Sequence, residues 1–272
     1  MAGLSISRAW DESKAVIRRD GRLIVSVALA MIALPTAITG LIDPSGMAGA
    51  SANGWTKALL PIASLLALAG QLSLIRLALS PSITVGDAIV HGLKRMPVYL
   101  LAAILILAGL AVLAIPFALV MTLLGVPIDA AEKQLSPEVA TIVLLFMAVV
   151  LFACVRMLMS GPVASGEGAG PLNIVRRSWQ MTAGHWWQLF GFLMLFFVGA
   201  ILAMVAVGTA TGALATLLLG PVEPMSASAL VVALVEAAAN AAITALFAVM
   251  LARIYVQLAG SEAQPSVPRS GI

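Results

Sequence analysis

Three arginines occupy equivalent positions near the ends of long apolar runs: Arg76 in LSLIRLALS, Arg156 in FACVRMLMS and Arg253 in VMLARIYVQ. A guanidinium group carries a planar fork of donors that fits the oxygens of a phosphate. If the three arginines converge, we expect them to form a cytoplasm-facing site for an anionic lipid or a phosphate. The alternative is that each side chain only extends from lipid to water, without a shared ligand.

A second polar set lies inside the last apolar run. Glu236, Asn240 and Thr244 are spaced four residues apart, so a helix places them on one face. A carboxyl group at that depth must face protein or water, because hydrocarbon cannot solvate it. The set therefore predicts either a hydrogen bond between helices or a pathway for protons or cations.

Other reactive residues are sparse and scattered. Cys154 is the single cysteine, and His91 and His185 are far apart in sequence, which is not a metal-binding or catalytic spacing. The stretch 160–179 is glycine-rich and opens a helix, but it fits neither phosphate-binding glycine motif and predicts a flexible re-entry loop. We therefore expect no enzymatic activity, no metal, no cofactor and no nucleic-acid partner.

Composition indicates the environment that positions these residues. The 272 residues are 61% hydrophobic and only 10% charged, whereas soluble domains carry about 25% charged residues. About 20 apolar residues cross a bilayer, and backbone amides in lipid are satisfied within a helix. The sequence predicts an all-α membrane protein with six transmembrane helices, at Leu23–Ile42, Leu59–Leu79, Val98–Leu124, Val139–Met159, Trp186–Leu219 and Ala227–Leu258.

The basic residues predict the orientation of these helices. Lysine and arginine are retained on the cytoplasmic side of a membrane. One predicted side holds five Lys/Arg within residues 1–22, followed by Lys94, Arg95, Arg176 and Arg177, while the other holds Lys57 and Lys133. We expect both termini in the cytoplasm of a bacterial inner membrane, and a disordered polar tail over residues 261–272.

The same order of segments occurs three times, over residues 4–80, 83–160 and 171–260. Each copy begins with a basic, amphipathic segment and continues into a pair of apolar runs. A helix with an apolar stripe and basic flanks rests in the headgroup region of a membrane. The pattern predicts a single domain of three helical-hairpin repeats, each preceded by a cytoplasmic amphipathic interfacial helix.

The segment PVASGEGAGPLNIVRRSWQMTAGHWWQLFGFLML carries a family resemblance. It resembles a region of the membrane domain of glycerophosphoryl diester phosphodiesterases, in which a Pro and a Glu precede an amphipathic helix and a span. The matching residues are Pro162, Glu167, Arg177, Ser178, Trp179, Thr182, Gly184 and Trp187. The resemblance covers about 35 residues and implies a six-helix inner-membrane protein without the catalytic barrel of the larger relatives.

These observations favour a non-enzymatic inner-membrane protein in envelope or lipid homeostasis that binds or moves a lipid-like substrate. Membrane lipids are the expected partners, and a protein partner or a second copy is left open. One alternative is a proton-coupled small-molecule transporter that uses Glu236. Another is a scaffold that recruits a partner through its cytoplasmic helices.

Overall fold

A computed structural model describes residues 4–42, 54–80, 83–123 and 137–262, and within these ranges the protein consists of helices and short connections, with no strand. Six helical stretches within these ranges are long and apolar enough to cross a membrane, which confirms the predicted multi-pass helical protein. The helices are α1 (Ile6–Ala28), α2 (Leu34–Ile42), α3 (Gly54–Leu79), α4 (Val85–Leu123), α5 (Pro137–Arg156), α6 (Ser160–Gly166), α7 (Pro171–Met181), α8 (Trp186–Leu219) and α9 (Ala227–Glu262).

A π-helical turn, Leu29–Ala33, joins α1 to α2 in a single crossing. Proline has no amide proton, so Pro35 leaves the carbonyl of Met31 without its usual partner, and its ring crowds that carbonyl. The backbone widens instead, and the Leu34 amide donates to the carbonyl of Leu29, five residues earlier. The crossing therefore stays continuous across its proline.

Helix α9 lies at the centre of the described bundle and contacts α1, α2, α3 and α8. One face of it consists of small side chains, so neighbouring backbones approach closely. A Cβ atom built on Gly40 of α2 would lie 3.3 Å from the Cβ of Ala233. The buried alanines on this face are Ala229, Ala233, Ala237, Ala241, Ala245, Ala248 and Ala252.

Helices α3 and α4 form the most extensive helix–helix contact in the described part of the chain. It depends on Gly92, because a Cβ there would lie 2.5 Å from the carbonyl oxygen of Ala69 and would overlap the hydroxyl of Ser73. Only a residue without a side chain fits such an approach. Gly92 therefore sets the distance between the two helices.

Helices α4, α5 and α8 lie at the periphery. In the most apolar stretch of α4, 6% of the residues are buried, compared with 44% in the corresponding stretch of α3. Large apolar side chains project outward from all three helices, as suits helices that face lipid. Helix α4 packs on α3 and α7 more than on α5, its partner in the predicted second hairpin.

The segments outside the crossings differ in part from expectation. The prediction of a flexible loop in the glycine-rich stretch is wrong for Ser160–Gly166, which forms the short helix α6 and is buried from Ser160 to Ser165, whereas residues 167–170 are not helical. The first two amphipathic segments form the beginnings of α1 and α4 and continue into the membrane crossings without a break. The third is a separate helix, α7. Residues 261 and 262 end α9, and the rest of the predicted tail lies outside the described residues.

Candidate functional site

Helix α6 is held at one end of the bundle, which we call the basal end, by basic side chains around its last turn and around the loop that follows it. The Nη1 atom of Arg76 donates to the carbonyl of Ser165 at 3.4 Å, and His91 Nε2 lies 3.1 Å from the same oxygen. Arg95 Nη1 donates to the carbonyl of Ala169 at 3.4 Å. The end of a helix carries unpaired carbonyls and partial negative charge, so the two contacts to Ser165 stabilise α6. The contact of Arg95 with Ala169 holds the loop that follows α6.

The Ser165 hydroxyl fixes α6 from the other side. It donates to the carbonyl of Leu72 at 3.2 Å, which ties α6 directly to α3. The contact is tight elsewhere as well, since a Cβ on Gly161 would lie 3.1 Å from the Cδ1 atom of Ile75. The apolar packing and these hydrogen bonds explain why a glycine-rich stretch is ordered here.

The residues of the family-like segment form a latch between α5, α6, α7 and α9. The Glu167 carboxylate accepts hydrogen bonds from Arg177 Nε at 3.1 Å and from the Tyr255 hydroxyl at 2.9 Å. The hydroxyls of Ser178 and Thr182 donate to the carbonyl of Arg156 at 2.8 and 3.3 Å. These contacts give that segment a structural role at the basal end.

The remaining residues of the segment surround the latch. Pro162 is buried in α6, whereas Trp179 and Trp187 are exposed. Gly184 has a φ of 82°, in the left-handed region that glycine adopts without a steric penalty. The turn from α7 into α8 therefore requires glycine at that position.

Arg156 and Arg253 are directed to carbonyls other than the one that Arg76 contacts. Arg156 Nη1 donates to the carbonyl of Trp179 at 3.3 Å, and its guanidinium carbon lies 5.2 Å from the ring centres of both Phe152 and Trp179. Arg253 Nη2 donates to the carbonyl of Ala78. Arg76 in the last turn of α3 therefore reaches α6, Arg253 of α9 reaches the end of α3, and Arg156 belongs to the α5–α7 junction.

An apolar groove of about 640 Å³ runs between α1, α8 and α9. Among the described residues that line it, Ser7 has the only aliphatic hydroxyl and Trp10 the only indole, and both lie on α1. Lys14, one turn beyond Trp10, places its Nζ atom 5.9 Å from the centre of that indole ring. The apolar wall includes Phe192, Gly199, Ala203, Leu246 and Met250.

A second space of about 450 Å³, which we call the amide cavity, lies between α3, α8 and α9. Its wall is apolar except for Gln71, Asn240 and Thr244. The predicted polar face of α9 therefore reaches a cavity through two of its three residues. The third, Glu236, lies one turn away, half-buried, with its Oε1 atom 2.9 Å from the position that a Cβ on Gly208 would take.

The groove and the amide cavity adjoin each other, because Phe196, Ala200 and Ile243 line both. Sequence reasoning missed the groove, since its walls consist of ordinary apolar residues from three distant segments. It also missed Gln71, although a carboxamide within an apolar run is a readable signal.

A family model matches almost the whole chain. The profile of a family described as a domain of unknown function, DUF7847, matches residues 4–258. No curated protein and no solved structure matches the chain.

Proposed function

This chain belongs to the DUF7847 family, and we propose that it is a non-enzymatic multi-pass protein of the bacterial inner membrane that binds a lipid-like amphiphile. Its role lies in envelope or lipid homeostasis, where it holds or moves that amphiphile. The apolar groove between α1, α8 and α9 is the observation that carries the proposal. The resemblance to the glycerophosphoryl diester phosphodiesterase membrane domain stays a hypothesis that is consistent with a lipid-related role.

The size and chemistry of the groove support an acyl chain as its occupant. Ligand pockets typically enclose about 300–1,000 Å³, and the groove volume of about 640 Å³ falls within that range. A hydrocarbon wall gives a polar ligand no hydrogen-bond partners, but it is suited to methylene groups. Trp10 and Lys14 lie at the α1 end, where an indole and an amine suit the interface between lipid and water.

The orientation that we propose places the basal end and both termini in the cytoplasm, with three hairpin repeats and their amphipathic segments along that side. It is supported by the basic residues in the first part of α1 and in α4 and α7. Reporter fusions at each terminus test it: we expect cytoplasmic activity from both, and a periplasmic signal from either would contradict the orientation.

A matched pair of glycine substitutions tests the groove. Both Gly199 and Gly191 lie on α8, and a Cβ on either would meet open space, so leucine is accommodated at both positions. Gly199 lines the groove and Gly191 does not. We expect Gly199→Leu to lower the amount of lipid that remains bound through detergent purification several-fold, while Gly191→Leu retains the wild-type amount.

Mass spectrometry of the extracted lipid gives the ratio of lipid to protein. Both variants must first show the wild-type elution profile and thermal stability, which their open surroundings favour. Equal lipid retention by Gly199→Leu and wild-type protein would refute the groove as the binding site.

The position of Asn240 and Thr244 in the wall of the amide cavity favours a second candidate, a proton-coupled transporter with Glu236 as the coupling residue. A polar site near the middle of crossing helices is typical of transporters. Proton-dependent uptake into vesicles should then be abolished by Glu236→Gln, whose side chain has a similar size but cannot ionise. Uptake that is unchanged in this variant would exclude the coupling role.

A further inference from the structure

Three polar side chains in the amide cavity have no partner among the described residues. Gln71, Asn240 and Thr244 line the cavity. The side chains of these three residues make no hydrogen bond to the part of the protein that the structure describes. Other threonines in the apolar helices behave differently. Thr209 and Thr216 of α8 each donate to the carbonyl four residues earlier, at 2.7 and 2.8 Å.

Unpaired amides and hydroxyls are costly in a hydrocarbon environment. Moving an amide or a hydroxyl out of water without a compensating hydrogen bond costs about 2–7 kcal/mol. Gln71 and Asn240 each offer two amide donors and one carbonyl acceptor, and Thr244 offers a hydroxyl. The cavity thus presents donors and acceptors together, which suits a ligand group with hydroxyl or carbonyl oxygens.

The charge around the cavity selects an uncharged group. Its lining residues include no lysine or arginine, and the nearest ionisable side chain on the same face of α9 is that of Glu236. A phosphate here would have no cation to pair with and would lie near a carboxyl group. A neutral headgroup meets neither obstacle.

The shared wall connects this polar site to the apolar groove. Phe196, Ala200 and Ile243 contribute to both spaces, so a molecule with a polar end in the cavity has an apolar path for its chain. Their combined shape matches an amphiphile with a small headgroup.

We infer that the amide cavity binds the hydroxyl- and ester-bearing end of a neutral amphiphile of the diacylglycerol type, and that one of its two acyl chains occupies the groove. This inference rests on the proposed function and names its ligand class. Gln71, Asn240 and Thr244 supply the hydrogen bonds, and the absence of a cation from the lining excludes anionic phospholipids.

The experiment compares two probes with identical acyl chains, diacylglycerol and phosphatidylglycerol, in phosphatidylcholine nanodiscs that contain the full chain. Native mass spectrometry measures the amount of each probe bound per protein. We expect the wild-type protein to bind diacylglycerol at least about tenfold better than phosphatidylglycerol. Equal binding, or a preference for phosphatidylglycerol, would overturn the inference.

Side-chain replacements then locate the binding. Gln71→Leu and Asn240→Leu remove hydrogen bonds; leucine matches the length of asparagine and is one atom shorter than glutamine. A hydrogen bond contributes about 0.5–1.5 kcal/mol, so losing two lowers affinity about 5- to 150-fold. Thr244→Val removes one hydroxyl, so it should also lower the affinity for diacylglycerol, but by less. Thr209→Val on the exposed face of α8 is the control, and we expect it to bind diacylglycerol as the wild type does.

The outcomes separate this inference from the proposed function. If Gly199→Leu lowers diacylglycerol binding while Gln71→Leu, Asn240→Leu and Thr244→Val leave it unchanged, the groove stands and the amide cavity is refuted as a binding site. If Gly199→Leu also binds diacylglycerol like the wild type, the proposed function fails with it. Loss of diacylglycerol binding in both groups, with Thr209→Val unaffected, supports both.

Discussion

Replacing Gly92 with alanine should destabilise the fold by separating α3 from α4. A Cβ at this position would lie 2.5 Å from the carbonyl oxygen of Ala69, a backbone atom that cannot rotate away. Carbon and carbonyl oxygen approach to about 3.3 Å even in their closest favourable contacts, so the helices must separate by roughly 0.8 Å. Forcing an extra methyl group into a packed contact costs about 1–3 kcal/mol.

The size of this effect is measurable by thermal unfolding in detergent. With a change of about 2–4 °C for each kcal/mol, Gly92→Ala should lower Tm by about 2–12 °C. Gly109→Ala is the matched control, because it lies on the same helix and a Cβ there meets no atom within 4 Å. A substitution in open space within a helix leaves Tm unchanged or raises it slightly.

A Gly92→Ala protein with the same Tm as Gly109→Ala would refute the reasoning. It would mean that α3 and α4 do not approach each other through Gly92. The basal end would then need a different description, because His91 beside Gly92 reaches the Ser165 carbonyl only when α4 lies close to α3.

Three further predictions concern Gly208, Ser178 and the three arginines. Gly208→Leu should displace the Glu236 carboxyl group, 2.9 Å from the Cβ position, into a less favourable rotamer at a cost of about 0.5–1.5 kcal/mol, whereas Gly212→Leu meets open space; equal Tm values for the two variants would contradict this. Ser178→Ala removes a buried hydroxyl that donates to the Arg156 carbonyl at 2.8 Å, which should cost about 0.5–1.5 kcal/mol in chemical denaturation, and an unchanged midpoint would argue against the latch. Lysine in place of all three arginines of the predicted anionic site should spare membrane insertion and weaken binding to vesicles that contain phosphatidylglycerol; binding equal to that of the wild type would count against a shared site.

The crossings were predictable because a bilayer leaves the backbone few choices. An apolar run of about 20 residues must be helical in lipid, so hydropathy alone locates the six long helices. The continuity of α1 and α4 was harder to predict from the sequence. An amphipathic segment has the same residue pattern whether its helix ends before a crossing or continues into it. The retention of Pro35 within a crossing depends on the π-helical turn beside it.

Helix α6 shows why local composition failed at the basal end. Residues 160–166 include two glycines and a proline, which individually favour a loop. Burial against Ile75 and the hydrogen bond to the Leu72 carbonyl override that preference, and both come from α3, about 90 residues earlier. Long-range packing of this kind has no signature within the segment itself.

The candidate site was predictable only in part. The spacing of Glu236, Asn240 and Thr244 correctly places them on one face, because helical periodicity is a local property. The carbonyl partners of the three arginines depend on how α3, α6 and α7 meet, which their sequence positions do not encode. Whether the arginines share an anionic ligand stays a prediction. Recruitment of a partner by the predicted cytoplasmic helices also stays a prediction.

The most direct test of ligand binding is photo-crosslinking with a diacylglycerol whose acyl chain carries a diazirine. The protein is labelled in membranes, and the modified peptides are mapped with and without an excess of unlabelled diacylglycerol. We expect label that the excess removes on residues 192–205 of α8 and 240–250 of α9, which form the groove and the amide cavity. Label on the exposed faces of α4 and α5 should resist competition. Competition that is equal at all of these helices, or absent from α8 and α9, would contradict a dedicated binding site.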